Sequence, residues 1–380
     1  MRRPSLCWLL PLLALCGCDS NTPWNDYPAS EPRLQFIGRG DPTLNEGLTY
    51  AYSGGTVRFR FKGTGLDVAF TDPGDEEAPN EHTQYVNIII DGVTHAIVKL
   101  RNGAHHYKVA RNLPPGEHVV ELVKRTDTFV GPIQFLAVSI QGELLEPPPP
   151  PEKRLEVIGD SLTCGYGNEA SILAPTYTEP NTGFHSVNQD SSKAYGSLLG
   201  RALGMDVVTT CIPGAGLYRD RLGQTDATLP ALYEYVFPDR GAPVWDSQRY
   251  VPDVIVINLG TNDFGVWDPA LPPEPPEAGF KKAYTDFIQR LRALYPQAVI
   301  VCAVGPMMND YYPQGRKHWT LIQQWVSSMV ADVRTSGDVN VHYFTHAPLE
   351  GPYGEDWHPT AKGHAKMAQE LTVFLRDLGF

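Results

Sequence analysis

An α/β fold built on a parallel sheet with flanking helices, preceded by a smaller all-β domain, is what this sequence predicts. Three observations carry the prediction. Five consecutive prolines, Pro147–Pro151, divide the chain; before them residues alternate as in strands, and after them apolar runs alternate with amphipathic stretches. A proline run of this kind favours extended polyproline II, a semi-rigid spacer. The 380 residues are too many for one comfortable core and suit two domains.

The first residues, "MRRPSLCWLLPLLALCGCDS", join two arginines to a short apolar run and small residues, which reads as a secretory signal rather than a spanning helix. Its ending, Leu15-Cys16-Gly17-Cys18, resembles a bacterial lipobox. The resemblance implies a leader over 1–17, cleavage before Cys18 and lipidation of its thiol, so that the protein is an exported cell-envelope lipoprotein held at a membrane only by its anchor. Residues 18–32 then read as a tether. Removing Arg2 and Arg3 takes the net charge from −12 to −14. That acidic balance disfavours nucleic acid, which needs clustered Lys and Arg to displace counterions. Of six cysteines, Cys164, Cys211 and Cys302 remain besides Cys18, too few for a disulfide framework. Cys164 and Cys211 both follow strands expected at one sheet edge, which leaves a disulfide and two buried thiols both open.

Residues 33–146 read as strands. Val57, Phe59 and Phe61 alternate with Arg58, Arg60 and Lys62, and Asp91-Gly92 joins two strand-like runs as a hairpin turn. "NLPPGEHVVELVKRTD" and "IQFLAVSIQG" continue the pattern. Several short strands with frequent turns in little over a hundred residues predict a β-sandwich.

After the linker, 147–152, the region 153–380 places apolar runs at "LEVIG", "DVVTT", "DVIVINLG", "AVIVCAVG" and "VHYF". Phe280, Tyr284, Phe287, Ile288, Leu291 and Leu294 share one helical face; further faces run from Trp319 to Val333 and from Met367 to Leu378. Apolar strands separated by amphipathic helices predict a parallel sheet covered on both sides.

Polar clusters fall at or near the ends of these elements: Ser161 after "LEVIG", Asn262 in "INLGTND", and His358 in "GEDWHP" before the last helix. Singly they read as a helix cap, a turn residue and a surface histidine. Together, at the carboxyl edge of one sheet, they supply a nucleophile, a base and an oxyanion donor for acyl transfer.

"GDSLTCGYGNE", "INLGTNDF" and "DWHP", following a β-rich region with "GTGL" and "GEHVVELVKRTD", resemble the SGNH (GDSL) hydrolase superfamily and, within it, carbohydrate esterase family 2. The resemblance runs from about Arg33 to the end. It implies a flavodoxin-like SGNH sheet behind a jelly-roll domain, and an acetyl esterase acting on acetylated plant polysaccharides such as xylan or glucomannan, with no cofactor. Ser161 becomes the nucleophile and His358 its base. The oxyanion donors become the Asn262 side chain and the backbone N–H groups of Ser161 and Gly214, with Gly216 the alternative glycine. Losing one such donor costs about 2.7–4 kcal/mol. Superfamily members carry an aspartate three residues before the histidine; here that position is Glu355, ranked ahead of Asp356, and some members use a backbone carbonyl instead.

Asp160 reads as ordering its loop, Cys164 as packing, and His364 as a surface or capping residue. Trp357 and Trp245 read equally as sugar platforms or core. Zinc-like Cys or His spacings, P-loops and dinucleotide glycines are missing from the sequence, and the acidic run "TDPGDEEAPNEH" matches no EF-hand spacing. A lipid-ester or thioester hydrolase, and a surface carbohydrate-binding protein, are the other readings.

Overall fold

Strands form where the period-two residues predict them. A computed structural model describes residues 22–43, 47–73, 83–170, 183–265 and 270–380; the leader, Cys18 and most of the acidic run lie outside these. The N-terminal domain contains β1 (Trp24–Pro28), β2 (Gln35–Ile37), β3 (Leu48–Tyr50), β4 (Thr56–Asp72), β5 (Tyr85–Ile90), β6 (Val93–Lys99), β7 (Gly103–Ala110), β8 (Gly116–Lys124) and β9 (Ile133–Leu145). All pair antiparallel, in a hydrogen-bonded order β1-β9-β4-β8-β5-β6, with β2 and β7 on β4 and β3 on β9. Val57, Phe59 and Phe61 are buried; on the other face Arg60 is part-exposed while Arg58 is largely covered where it meets Asp206 of the second domain. Asp91 and Gly92 both take positive φ, 52° and 80°, the hairpin geometry their sequence favours.

The tether expectation needs correction. Residues 24–28 form β1, paired with β9 from Trp24↔Gln141 to Pro28↔Ala137. This edge strand is exposed along most of its length and carries no apolar alternation, so periodicity gave no sign of it.

The second domain holds β10 (Arg154–Gly159), β11 (Asp206–Cys211), β12 (Val254–Asn258), β13 (Val299–Val304) and β14 (Val341–Thr345), all parallel, in the order β11-β10-β12-β13-β14. Ranked along the chain this is 2-1-3-4-5, whose switch point lies at β10, where ligands bind beyond the strand ends. Its helices are α1 (Ser161–Cys164), α2 (Tyr195–Leu203), α3 (Leu229–Leu232), α4 (Thr261–Phe264), α5 (Glu277–Leu294), α6 (His318–Thr335) and α7 (Ala361–Asp377). The predicted faces of α5, α6 and α7 pack on opposite sides of the sheet: α5 and α6 on one, α7 with α2 on the other. Among the described residues no helix is long and apolar enough to cross a membrane.

The domains share a polar seam. Arg39 reaches Glu156 in mid-β10 at 3.0 Å, Arg58 reaches Asp206 at 2.7 Å, and Arg125 reaches Asp190 at 3.1 Å.

Candidate active site

The turn after β10 is built by its own residues. Gly159 ends the strand where an added Cβ would lie 2.0 Å from Thr163 Oγ1, so α1 packs against the strand end only because no side chain intervenes. Asp160 caps α1, its Oδ1 accepting from Leu162 N–H at 3.1 Å. Burial pushes its carboxyl up to about 7. Gly165 closes the turn at φ 84°. Cys164 and Cys211 are joined as a disulfide that ties the end of α1 to the end of β11, which decides between the two thiol readings; Cys302 is buried and free.

Ser161 meets His358 across 197 residues, Oγ lying 2.7 Å from Nε2. His358 is 7% exposed. Burial lowers its pKa to about 4, opposed in part by the carbonyls of Glu355 and Asp356 and the Asp356 charge. The ring is neutral at pH 7 and able to take a proton. Tyr166 stacks on it at 4.3 Å.

The expected acid is corrected. His358 Nδ1 donates to two backbone carbonyls, Glu355 O at 2.9 Å and Asp356 O at 3.1 Å. Glu355's carboxylate instead accepts from His185 N–H, His185 Nδ1 and Asn188 Nδ2 at 2.9, 2.7 and 2.7 Å. Asp356's carboxylate accepts from the Tyr166 hydroxyl at 2.7 Å and Gly183 N–H at 3.1 Å. The backbone supplies the reason: Asp356 and Trp357 take φ of 46° and 62°, a left-handed pair that turns the preceding carbonyls onto the ring. For side-chain-bearing residues that conformation costs about 1–2 kcal/mol each.

On the oxyanion side, Asn262 Nδ2 donates to Asp160 Oδ2 at 3.1 Å and to the Ala215 carbonyl at 2.9 Å. It therefore binds the Gly214–Gly216 loop to the turn that carries Ser161, and an oxyanion would have to take over one of these N–H bonds. Asp263, next in "GTND", clamps that loop by accepting from the N–H groups of Leu217, Tyr218 and Arg219 at 2.9, 2.7 and 3.0 Å. Gly214 has φ 78°; a Cβ on Gly216 would lie 2.0 Å from the Arg219 carbonyl.

For Trp245 the core alternative holds and the sugar platform does not, and the surface reading of His364 is corrected. Trp245 is 8% exposed with the guanidinium groups of Arg39 and Arg249 over its ring, so its faces are taken. His364 is wholly buried, stacked parallel to Tyr195 and accepting from Tyr195 N–H at Nδ1. Trp357 is 45% exposed beside the histidine.

Sequence reasoning missed His185, Asn188 and the rings beyond Tyr166. Phe184 contacts Tyr166 at 4.9 Å, and Phe129, 49% exposed on the N-terminal domain, contacts Phe184 at 5.6 Å. "GYG" sat in a quoted motif; the others carry no local signal. No group of three or more His, Cys, Asp or Glu among the described residues is placed to hold a metal ion.

Two family models match: "Carbohydrate esterase 2 N-terminal" over residues 36–149 and "GDSL-like Lipase/Acylhydrolase family" over 157–366. Cellulase/esterase CelE of Acetivibrio thermocellus is 32% identical over 362 residues, 94% of this chain, which spans 40% of that relative's length. An acetylxylan esterase / glucomannan deacetylase of Cellvibrio japonicus is 30% identical over 383 residues, 97% of this chain and 98% of the relative. A family two carbohydrate esterase from Clostridium thermocellum, solved in complex with cellohexaose, superimposes with a TM-score of 0.80 at 32% identity, covering 91% of this chain and 98% of that one.

Proposed function

The chain belongs to carbohydrate esterase family 2, and from that premise we propose that it is an exported serine esterase removing O-acetyl groups from polysaccharides such as xylan or glucomannan. The observation that carries this reading is the 2.7 Å contact between Ser161 Oγ and an imidazole held neutral by burial. With Nδ1–H given to two carbonyls, Nε2 presents its lone pair to the serine hydroxyl. His358 removes the proton as Oγ attacks the acetyl carbonyl, and returns it to the sugar oxygen as the acetyl C–O bond breaks, releasing the sugar hydroxyl and leaving acetyl-Ser161. Water, activated by the same ring, then releases acetate. Asn262 and the backbone N–H groups of Ser161 and Gly214 are the proposed oxyanion donors. Gly216 is second choice, because its missing Cβ is already explained by the Arg219 carbonyl against it.

The relatives' deacetylase names and the neighbour's cellohexaose support a glycan substrate, and exposed Trp357 and Phe129 offer rings for sugar faces. A jelly-roll form for the N-terminal domain belongs to the same proposal; the 17-residue β4, pairing β8 through its first half and β7 through its second, supports two layers sharing one strand. Export and anchoring at Cys18 rest on the lipobox-like leader, and the disulfide suits an oxidising compartment.

Acetate release from acetylated xylan and glucomannan, wild type beside Ser161→Ala, tests the reading. Release by wild type alone is expected. Ser161-dependent cleavage of 4-nitrophenyl acetate without release from either polymer would keep the chemistry and remove the substrate. Preference for long acyl chains would point to the lipid-ester reading.

A further inference from the structure

Orientation of His358 depends on side chains outside any Ser-His-acid set, and they lead back to the other domain. We infer that Arg125, just after β8 in the N-terminal domain, is a positioning residue for His358, acting through the segment His185–Asp190 and the buried carboxylate of Glu355. The inference rests on the esterase reading above and assigns the N-terminal domain a part in the reaction.

Glu355 is the first link. Its carbonyl accepts from both the Nδ1 and the backbone N–H of His358, each at 2.9 Å, so wherever Glu355 sits the histidine is aimed. Its side chain is 2% exposed, and its carboxylate takes its described hydrogen bonds from His185 and Asn188. A buried carboxylate with three charge-assisted bonds is held firmly only if its donors are.

The donors sit on a weak element. Ser186–Asn188 is a single three-residue 3-10 turn with no side-chain cap, which has little stability of its own. Arg125 supplies it. Its guanidinium, 3% exposed, donates to the carbonyls of Gln189 and Val187 at 3.0 and 3.3 Å, to Asp190 Oδ2 at 3.1 Å and to Asn87 Oδ1 at 3.0 Å. Asp127 N–H adds a bond to Gln189 Oε1 at 3.2 Å, and Ser191 N–H one to the Arg125 carbonyl at 3.1 Å. Holding two backbone carbonyls and a carboxylate at once needs a rigid planar fork with several donors, which lysine cannot replace. A domain that merely bound glycan independently would need no such buried fork into the hydrolase.

The test uses the full chain. Arg125→Lys, Asn188→Ala, their double variant and His185→Ala are compared with wild type and Ser161→Ala on 4-nitrophenyl acetate, with melting midpoints recorded alongside. His185 is part-exposed, so its loss should leave folding intact. The expected result is a fall in kcat of about 10- to 100-fold with KM nearly unchanged. The double variant should be no worse than the poorer single one, because both act through one path. The ¹⁵N spectrum of the His358 ring reads the same geometry without substrate: an Nδ1–H tautomer in wild type, giving way to a tautomer mixture in the variants, supports the inference. Wild-type kcat with an unchanged ring spectrum overturns it, as do additive losses or a rise in KM alone. Turnover that survives Ser161→Ala counts against the esterase reading, and the ring spectrum still decides the positioning role.

Discussion

At His358 the chemistry depends on a balance between burial and two carbonyls. Burial disfavours the imidazolium and the carbonyls favour it; burial wins, and the pKa falls from 6.5 to about 4. A depressed value means the neutral base persists as pH drops below 6.5 and is lost only near the folded value. The acid limb of kcat/KM, which reports the free enzyme, is therefore expected at about pH 4. A limb near 6.5 in a pH series on 4-nitrophenyl acetate would show that the ring is solvated. Stability follows the same sign. His364, lowered to about 3 by burial, stays neutral when folded while its unfolded counterpart takes up protons from about 6.5 downward. Both rings thus make folding less favourable as pH falls across that window. Which atoms would face Nδ1 was not decidable from "GEDWHP", because the left-handed pair at Asp356 and Trp357 is imposed by contacts to Tyr166 and to residues far upstream.

Among the elements, α1 is too short to hold itself. One end is fixed by the Asp160 cap, the other by the Cys164–Cys211 bond, which spans 47 residues. In the chain-entropy account a loop of that length stabilises the fold by about 4 kcal/mol. Denaturant titration of Cys164→Ala against wild type should show a loss of that order, and equal midpoints would mean the bond is absent in solution. Strands β10 to β14 and helices α5 to α7 were legible because each buries a regular apolar pattern. Helix α2 was not. It has an apolar stripe, Tyr195, Leu199 and Leu203, but is only nine residues long, and Gly196 and Gly200 on its inner face, which let it approach Val157 and Val207 closely, weaken the helical signal.

Across the whole molecule, Glu156 shows why the two domains form one unit. It lies in mid-β10 between the apolar Leu155 and Val157 with its side chain 2% exposed, and its counter-charge, Arg39, comes from the other domain. Thr210 Oγ1 and the Tyr233 hydroxyl complete its shell, both at 2.8 Å. Breaking such a pair from one side leaves a buried charge uncompensated, at a cost of about 3–5 kcal/mol. Arg39→Ala should lose that much in a urea titration. A variant as stable as wild type would mean that the Arg39–Glu156 pair adds nothing to the fold.

The sequence alone determined the two-domain order, the parallel sheet, and the motifs that bring Ser161, Asn262 and His358 to one edge, since periodicity and short motifs are properties of neighbouring residues. Tertiary structure decided the rest. It put backbone carbonyls where an acid was expected, buried Trp245 and His364, drew residues 24–28 into the sheet, and ran a polar path from Arg125 to His358. Each of these joins groups far apart in the chain, such as His185 and Glu355 at a separation of 170 residues. At that distance the local pattern of apolar and polar residues carries no trace of which groups will meet.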